Sequence, residues 1–280
     1  MSDLPVSILG KTGIQVTRLG LGGEGVLRTF GHEEEAVPLI QRALSLGITY
    51  FDSARAYSNS EVYYGLALGK RREEVFLCSK THDRSRKESK KFLEITLRNM
   101  KTEYLDLWQF HDIRTEEDLS QASSHGGCFE AFDEAKKAGY VRFIGITGHY
   151  DPSIIVKGLE LYSFDTLLMP VNPCEPHHLS FLEIALPEAR KRKMGIIGMK
   201  TIKPFFWWDG KTFDAKELLN FALSQDVDVV ITGCDNISQL EENVRTAQEF
   251  SPLSKEGIES MVERGKSVAH VMVYKKGIHD

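Results

Sequence analysis

An α/β barrel of eight strand-helix units, (β/α)8, is the fold this sequence predicts, and three observations predict it. Apolar runs rich in branched residues and bounded by turn signals recur eight times, at residues 17–22, 49–53, 75–80, 105–111, 141–147, 166–172, 195–200 and 229–233. They read as continuous segments such as FIGI, TLLMPV and DVVI, which suits strands buried on both faces of a parallel sheet. Stretches of helical period alternate strictly with them, at residues 33–46, 60–70, 87–100, 129–137, 152–161, 181–193, 215–224 and 238–249. A chain of 280 residues is of the size that one closed barrel routinely uses, so the expectation is a single domain spanning 1–280.

Each unit has local support. Ahead of the first, residues 6–16 place apolar side chains on either side of GKTG, which predicts a β-hairpin across the barrel floor. In EAVPLIQRALSLG, Ala36, Leu39, Ile40, Ala43 and Leu44 share one face and Gly47 ends the helix. Asp151 before Pro152 places a capping side chain ahead of a proline at the first helical position, and Asp214 precedes the run that begins at Ala215. Residues 255–268 read as an extra C-terminal helix packed outside the barrel. No internal repeat, low-complexity run or Pro/Gly/Ser-rich linker marks a further boundary.

Composition narrows the function. With 41% hydrophobic and 27% charged residues the chain has the make-up of a globular protein with a sizeable core. A formal net charge of −5 argues against a nucleic-acid partner, and no apolar run reaches the roughly 20 residues of a membrane span. Cys78, Cys128, Cys174 and Cys234 form no CxxC pair, so neither a zinc site nor a disulfide framework is expected. The N-terminus MSDLPVSILGKTG lacks a basic region followed by an apolar run, and the expected location is the cytoplasm.

In such a barrel, chemistry belongs at the C-terminal ends of the strands and in the loops that follow. That rule selects Asp52 with Tyr57, Lys80 with His82, His111 with Asp112, Thr147 with His149, Asn172 with Cys174, Lys200 with Thr201, and the stretch 233–243. Tyr57, Lys80, Asp52 and His111 make an acid-base set suited to carbonyl reduction, where hydride adds to carbon while oxygen receives a proton. A phenol can give that proton if a neighbouring ammonium brings its pKa down from about 10, and a carboxylate can hold the ammonium in place. An imidazole can hydrogen-bond and orient the carbonyl oxygen.

The run YFDSARAY with Asp52 and Tyr57, FLCSK ending in Lys80, and YLDLWQFHD containing His111 resemble the aldo-keto reductases in order and strand position. LGKTGIQVTRLGLGG, GYVRFIGIT and SQLEENV extend the resemblance over nearly the whole chain. It implies an NAD(P)H-dependent oxidoreductase that reduces an aldehyde or ketone by direct hydride transfer. Tyr57 would be the general acid, Lys80 and Asp52 its tuning pair, and His111 the group that orients the carbonyl. The partner would be a small-molecule carbonyl substrate, with no metal and no assigned oligomeric state.

For the cofactor the resemblance implies Thr147, Asn172, Lys200, Thr201, Gly233, Cys234, Gln239, Glu242 and Asn243. Several depart from the family pattern. Thr147-Gly148-His149 stands where a Ser-Asn pair is usual, Leu168 where a Gln is usual, and Met199-Lys200 where an aromatic and a Ser are usual. A lysine at 200 could reach a pyrophosphate as a point charge. Gly233, Cys234 and Gln239 stand where relatives place cations for the 2′-phosphate, which weakens the family's preference for NADP(H) over NAD(H) without reversing it. Glu242 and Asn243 match the pair expected near the adenine. Glu24, His149, Trp207 and Trp208 are assigned to the substrate, the tryptophans from an aromatic run, KPFFWWDG, that could fold over the barrel mouth.

Plainer accounts stand beside these. Asp52 and Lys80 could be an ion pair that merely closes the barrel, Tyr57 a loop aromatic, and His111 a satisfied core histidine. Cys174, His177, His178 and His149 could be assembled into a metal site of mixed nitrogen and sulfur ligands. Two other classes of function remain open: a nicotinamide-binding regulatory or redox-sensing barrel with little turnover, and a metal-dependent barrel hydrolase built on His111, Asp112, His149 and the 177–178 pair.

Overall fold

The computed structural model describes residues 3–202 and 211–271. Two short strands, β1 (Val6–Ile8) and β2 (Gln15–Thr17), pair antiparallel with Val6 opposite Thr17. Eight further strands follow: β3 (Leu19–Gly25), β4 (Tyr50–Asp52), β5 (Phe76–Thr81), β6 (Leu105–Phe110), β7 (Val141–Thr147), β8 (Thr166–Pro170), β9 (Gly195–Met199) and β10 (Val229–Cys234). They are parallel and close in sequence order, with β10 returning to β3. The described helices are α1 (Glu33–Ser45), α2 (Ser60–Ala67), α3 (Arg86–Asn99), α4 (Glu116–Ser123), α5 (Cys128–Lys137), α6 (Pro152–Leu161), α7 (Ala185–Lys191), α8 (Ala215–Leu223), α9 (Ile237–Gln248) and α10 (Lys255–Lys266). Among the described residues no helix is long and apolar enough to cross a membrane.

The period-two geometry of a strand sorts its side chains between two cores. Phe51, Leu77, Trp108, Phe110 and Ile144 point outward into the large cluster beneath the helices. Tyr50, Phe76, Cys78, Leu107 and Ile197 point into the barrel, where Leu9 and Val16 of the hairpin join them from below. Tyr50, Phe76 and Phe143 stack there with centroids 5.5 and 6.2 Å apart. The same alternation carries Asp52, Lys80 and Gln109 inward one layer higher, with Lys80 beside Gln109 in the β5–β6 register. Local signals act as expected at two helix starts. The Asp151 side chain accepts from Ser153 N–H ahead of Pro152, and Asp214 forms a capping box with Glu217.

The structure departs from the sequence expectation in three places. Thr17 belongs to the hairpin, and the first barrel strand runs to Gly25 instead of ending at 22. The helix expected over 181–193 contracts to Ala185–Lys191, because the buried Glu175 carboxylate takes the N–H groups of Phe181 and Leu182 and holds that stretch in turns. An additional helix, α4, follows β6, started by a Thr115–Asp118 capping box.

One buried carboxylate ties the loop after β4 to its surroundings. Glu61 accepts from Ser79 Oγ at 2.8 Å, Thr96 Oγ1 at 2.7 Å, Asn99 Nδ2 at 3.0 Å and Arg55 Nη1 at 3.1 Å. It thereby joins α2 to β5, α3 and the segment that precedes it. Replacement by alanine strands these donors, so Glu61→Ala is expected to lower unfolding free energy by about 3 kcal/mol in a urea titration.

Candidate active site

The upper layer of the barrel is built around a charged pair. The Lys80 ammonium is fully buried and donates to an oxygen of Asp52 and, at 2.6 Å, to the Ser53 carbonyl. Asp52 also accepts from Gln109 Nε2 at 3.0 Å. Burial raises the Asp52 pKa above its ordinary value, although Lys80 and Gln109 pull the other way. An isolated charge here would be prohibitive, and the mutual pairing with extra hydrogen bonds is what makes it tenable.

Tyr57 reaches this pair from the loop between β4 and α2. The loop is fixed by Tyr57 N–H to the Ala54 carbonyl at 2.9 Å, Ser60 N–H to the Tyr57 carbonyl at 2.8 Å, and Ser53 Oγ to Ser60 Oγ at 2.8 Å. Gly23 of β3 lets the ring come close, since a Cβ there would lie 2.9 Å from Tyr57 Cδ2 and 2.9 Å from the Asp52 carbonyl oxygen. Two cations lie against the ring: Lys80 Nζ at 4.8 Å and Arg28 Cζ at 4.9 Å from its centroid. The His111 ring stands edge-on to it, with centroids 5.8 Å apart.

The phenol pKa is not brought down in the free protein as the sequence suggested. Burial, then Glu24 and Asp52, push the Tyr57 pKa well above 10, with Arg28 opposing. Withdrawn from water in this way, the phenol stays protonated through the neutral range.

Three histidines line one side. His111 Nδ1 and His82 Nδ1 are 3.1 Å apart, with ring centroids at 3.9 Å. Burial pushes the His82 pKa down to about 4 and holds His111 well below 6.5, helped at His111 by Lys80. Both rings are therefore neutral near pH 7. His149 Nε2 lies 3.2 Å from Asp112 Oδ1, while Arg114 holds Oδ2 of the same carboxylate at 2.5 Å.

Opposite the histidines a cleft of about 620 Å3 opens between β3 and the ends of β8, β9 and β10. Tyr57, Asp52 and Glu24 bound it on one side, with Leu168, Met199 and Ile231 on the other. Gly22 and Gly233 leave its walls without side chains, so a flat ligand can approach the backbone there. A flat apolar face beside a protonated phenol fits a nicotinamide ring. Lys200 and Thr201 also line it. Lys200 has a left-handed backbone, φ +56°, and Asn172 Nδ2 donates to its carbonyl at 3.1 Å. Burial lowers the Lys200 pKa, and among the described residues no carboxylate lies within ion-pair distance of its ammonium. That leaves a cation available to a phosphate.

The remaining expected residues are distributed less tightly. Thr147 is buried at the end of β7 beside the histidines, whereas Thr201 donates its hydroxyl to the Val171 carbonyl. Cys234 is buried and receives Asn243 Nδ2 at 3.5 Å. Gln239 is exposed and accepts from Asp235 N–H, and Glu242 and Asn243 border a separate surface depression with Lys216 and Arg245. None of these last four lines the cleft. Trp207 and Trp208 lie outside the described residues.

Sequence reasoning missed Gln109 and Arg28. The inward alternation Leu107, Gln109, His111 was the available signal for the first. For Arg28 there was none, because its place over Tyr57 depends on the turn after β3. The metal alternative finds no geometric support. His177 Nε2 is bonded to the Val262 carbonyl at 2.7 Å, and among the described residues no three His, Cys, Asp or Glu side chains converge at ligand spacing.

Comparison with known proteins agrees with this architecture. Residues 18–203 match the model described as the Aldo/keto reductase family. L-Galactose dehydrogenase of Arabidopsis thaliana is 25% identical, with 100% of this chain and 99% of that protein covered. The uncharacterized oxidoreductase YqkF of Bacillus subtilis is 24% identical over 85% of this chain and 90% of its own. Among solved structures, the holo form of aldo-keto reductase AKR11C1 from Bacillus halodurans superposes with a TM-score of 0.74 at 22% identity, covering 93% and 96% of the two chains.

The histidine pair has a consequence for stability. His82 takes its proton near 6.5 in the unfolded chain but at about 4 in the fold, so the unfolded state binds more protons between those values. Its contribution is fully present above pH 6.5 and is lost as pH falls toward 4. Thermal unfolding midpoints are expected to drop across that window, and His82→Asn should make the drop shallower.

Proposed function

The chain belongs to the aldo/keto reductase family and is an NAD(P)-dependent oxidoreductase, and on that premise we propose that it reduces an aldehyde or ketone with Tyr57 as the proton donor. The observation that carries this reading is a protonated phenol at the edge of an apolar cleft, with a buried ammonium against its ring and a neutral imidazole beside it. When bound, NADP(H) or NAD(H) supplies the hydride that the carbonyl carbon accepts.

The chain's own residues do the rest. Leu168, Met199 and Ile231 would hold the nicotinamide, and Lys200 would meet a phosphate of the cofactor. His111 would orient the carbonyl oxygen by a hydrogen bond. As charge develops on that oxygen, Tyr57 gives up its proton. Lys80 acts at this point: a cation against an aromatic ring is attracted more strongly as the ring becomes phenolate, so it favours the transition state over the ground state. Asp52 holds Lys80 in place. The substrate is a small carbonyl compound, and Glu24 and His149 flank the space it would occupy.

The reading extends to a single domain working in the cytoplasm, supported by four cysteines that are all buried free thiols. NADP(H) keeps first place over NAD(H) only as the family default, since the stretch 233–239 supplies no cation.

Titration with NADPH and then NADH, followed by tryptophan quenching, should give saturable binding. Tyr57→Phe is expected to lose about 10²- to 10⁴-fold in kcat while binding the nicotinamide as the parent does. Unchanged turnover of a carbonyl panel would reject Tyr57 as the acid. Tight binding with negligible turnover by the parent protein would favour the regulatory barrel instead.

A further inference from the structure

The geometry points to His82 as a positioning residue that fixes the tautomer of His111. With its Nδ1 3.1 Å from His111 Nδ1, it donates a proton there and leaves His111 with an Nε2–H for the substrate oxygen. The inference rests on the reading of His111 as the group that orients the carbonyl. Neither the carry-over from relatives nor the acid-base set of the sequence gives His82 a role.

A neutral imidazole has one donor and one acceptor nitrogen, and the partner of one decides the state of the other. Two Nδ1 atoms at hydrogen-bond distance must therefore be in opposite states, one bearing the proton and the other bare. If His111 carried it, its Nε2 would be a lone pair, which repels a carbonyl oxygen. If His82 carries it, His111 Nε2 must hold the proton, and that N–H can bind the oxygen and strengthen as charge develops. His82 is suited to the donor role because it bears no other constraint of this kind. It is the outer ring of the pair and only partly withdrawn from water, so solvent can satisfy its Nε2 in either tautomer, whereas the buried His111 ring can meet only what enters the site.

The pair is also held in place from behind. Arg84 donates to the His82 carbonyl at 2.8 Å and to the His111 carbonyl at 3.2 Å, and its Nε bonds Asp118 at 2.9 Å. One guanidinium thus fastens the ends of β5 and β6, from which the two rings project. The contact is built into the scaffold, and it closes the loop between an exposed ring and the buried one.

The test uses two variants and a readout apart from turnover. The side-chain amide of asparagine places its nitrogen at the same distance from Cβ as Nδ1, so His82→Asn can still donate to His111 in one of its two amide orientations, whereas His82→Leu can donate in none. Nitrogen-15 NMR of the imidazoles in the ligand-free protein should show His111 with Nε2 protonated and Nδ1 bare in the parent, and this tautomer should remain the major one in His82→Asn. His82→Leu should show a mixture of tautomers and a kcat lower by about tenfold, with KM little changed, and His82→Asn should recover most of that loss.

A parent spectrum with the proton on His111 Nδ1 would overturn the inference. So would His82→Leu with an unaltered tautomer and kcat, or His82→Asn as impaired as His82→Leu. Should His82→Leu fail to fold, the parent spectrum still decides. Failure of the functional reading is seen separately, as turnover that survives Tyr57→Phe, and does not alter the spectra.

Discussion

The buried Asp52–Lys80 pair is the constraint on which the rest of this architecture depends. A lysine with no exposed surface is tolerated only where its ammonium is paired and hydrogen-bonded, and here its two acceptors, Asp52 and the Ser53 carbonyl, come from the strand next door and the residue after it. That requirement fixes the relation of β4 to β5 at the top of the barrel. It also fixes where the chain can leave β4, because the Ser53 carbonyl must face inward. Tyr57 is then set down against the ammonium by a loop whose far end Glu61 anchors to β5 and α3. The ion pair could have been a mere closure of the barrel. What argues otherwise is the company it keeps: a phenol over its cation, a neutral imidazole edge-on to that phenol, and a cleft beside both.

Much of this was legible in the sequence because it follows from short-range rules. Continuous apolar runs gave the buried strands, the rule that chemistry sits at the C-terminal ends of barrel strands selected Asp52, Lys80 and His111, and Asp151 and Asp214 announced their helices. Other features were present but overlooked. Thr115-x-x-Asp118 is a helix start that went unused, and Gln109 sits two residues before His111 on the same face. A third group could not be read at all. Glu175 unwinds the turn before α7 through contacts that depend on tertiary placement, and Arg28 covers Tyr57 only because the chain turns after β3. The cofactor positions implied by the resemblance lie in two places. Lys200, Thr201 and Gly233 line the cleft, but Cys234, Gln239, Glu242 and Asn243 serve the β10–α9 junction or face solvent.

Charge is arranged around the mouth so that few groups near Tyr57 change state at neutral pH. The phenol is held protonated and the two coupled imidazoles are held neutral, each by partial removal from water. Lys200 differs, being a cation pressed toward neutrality by burial, with Glu24 opposing. An anionic ligand beside its ammonium would favour the charged form.

The hairpin at the other end gives this arrangement a direction. Leu9 and Val16 pack under Tyr50, Phe76 and Leu107, so the tube is stoppered with hydrocarbon below and meets water only above. Low-dielectric walls with a single wet end act as a lens: the field of Lys80 and its neighbours cannot spread downward and emerges through the mouth. A hairpin far from every reacting atom thus sets the polarity of the vessel, and loosening it would dim the site without touching it.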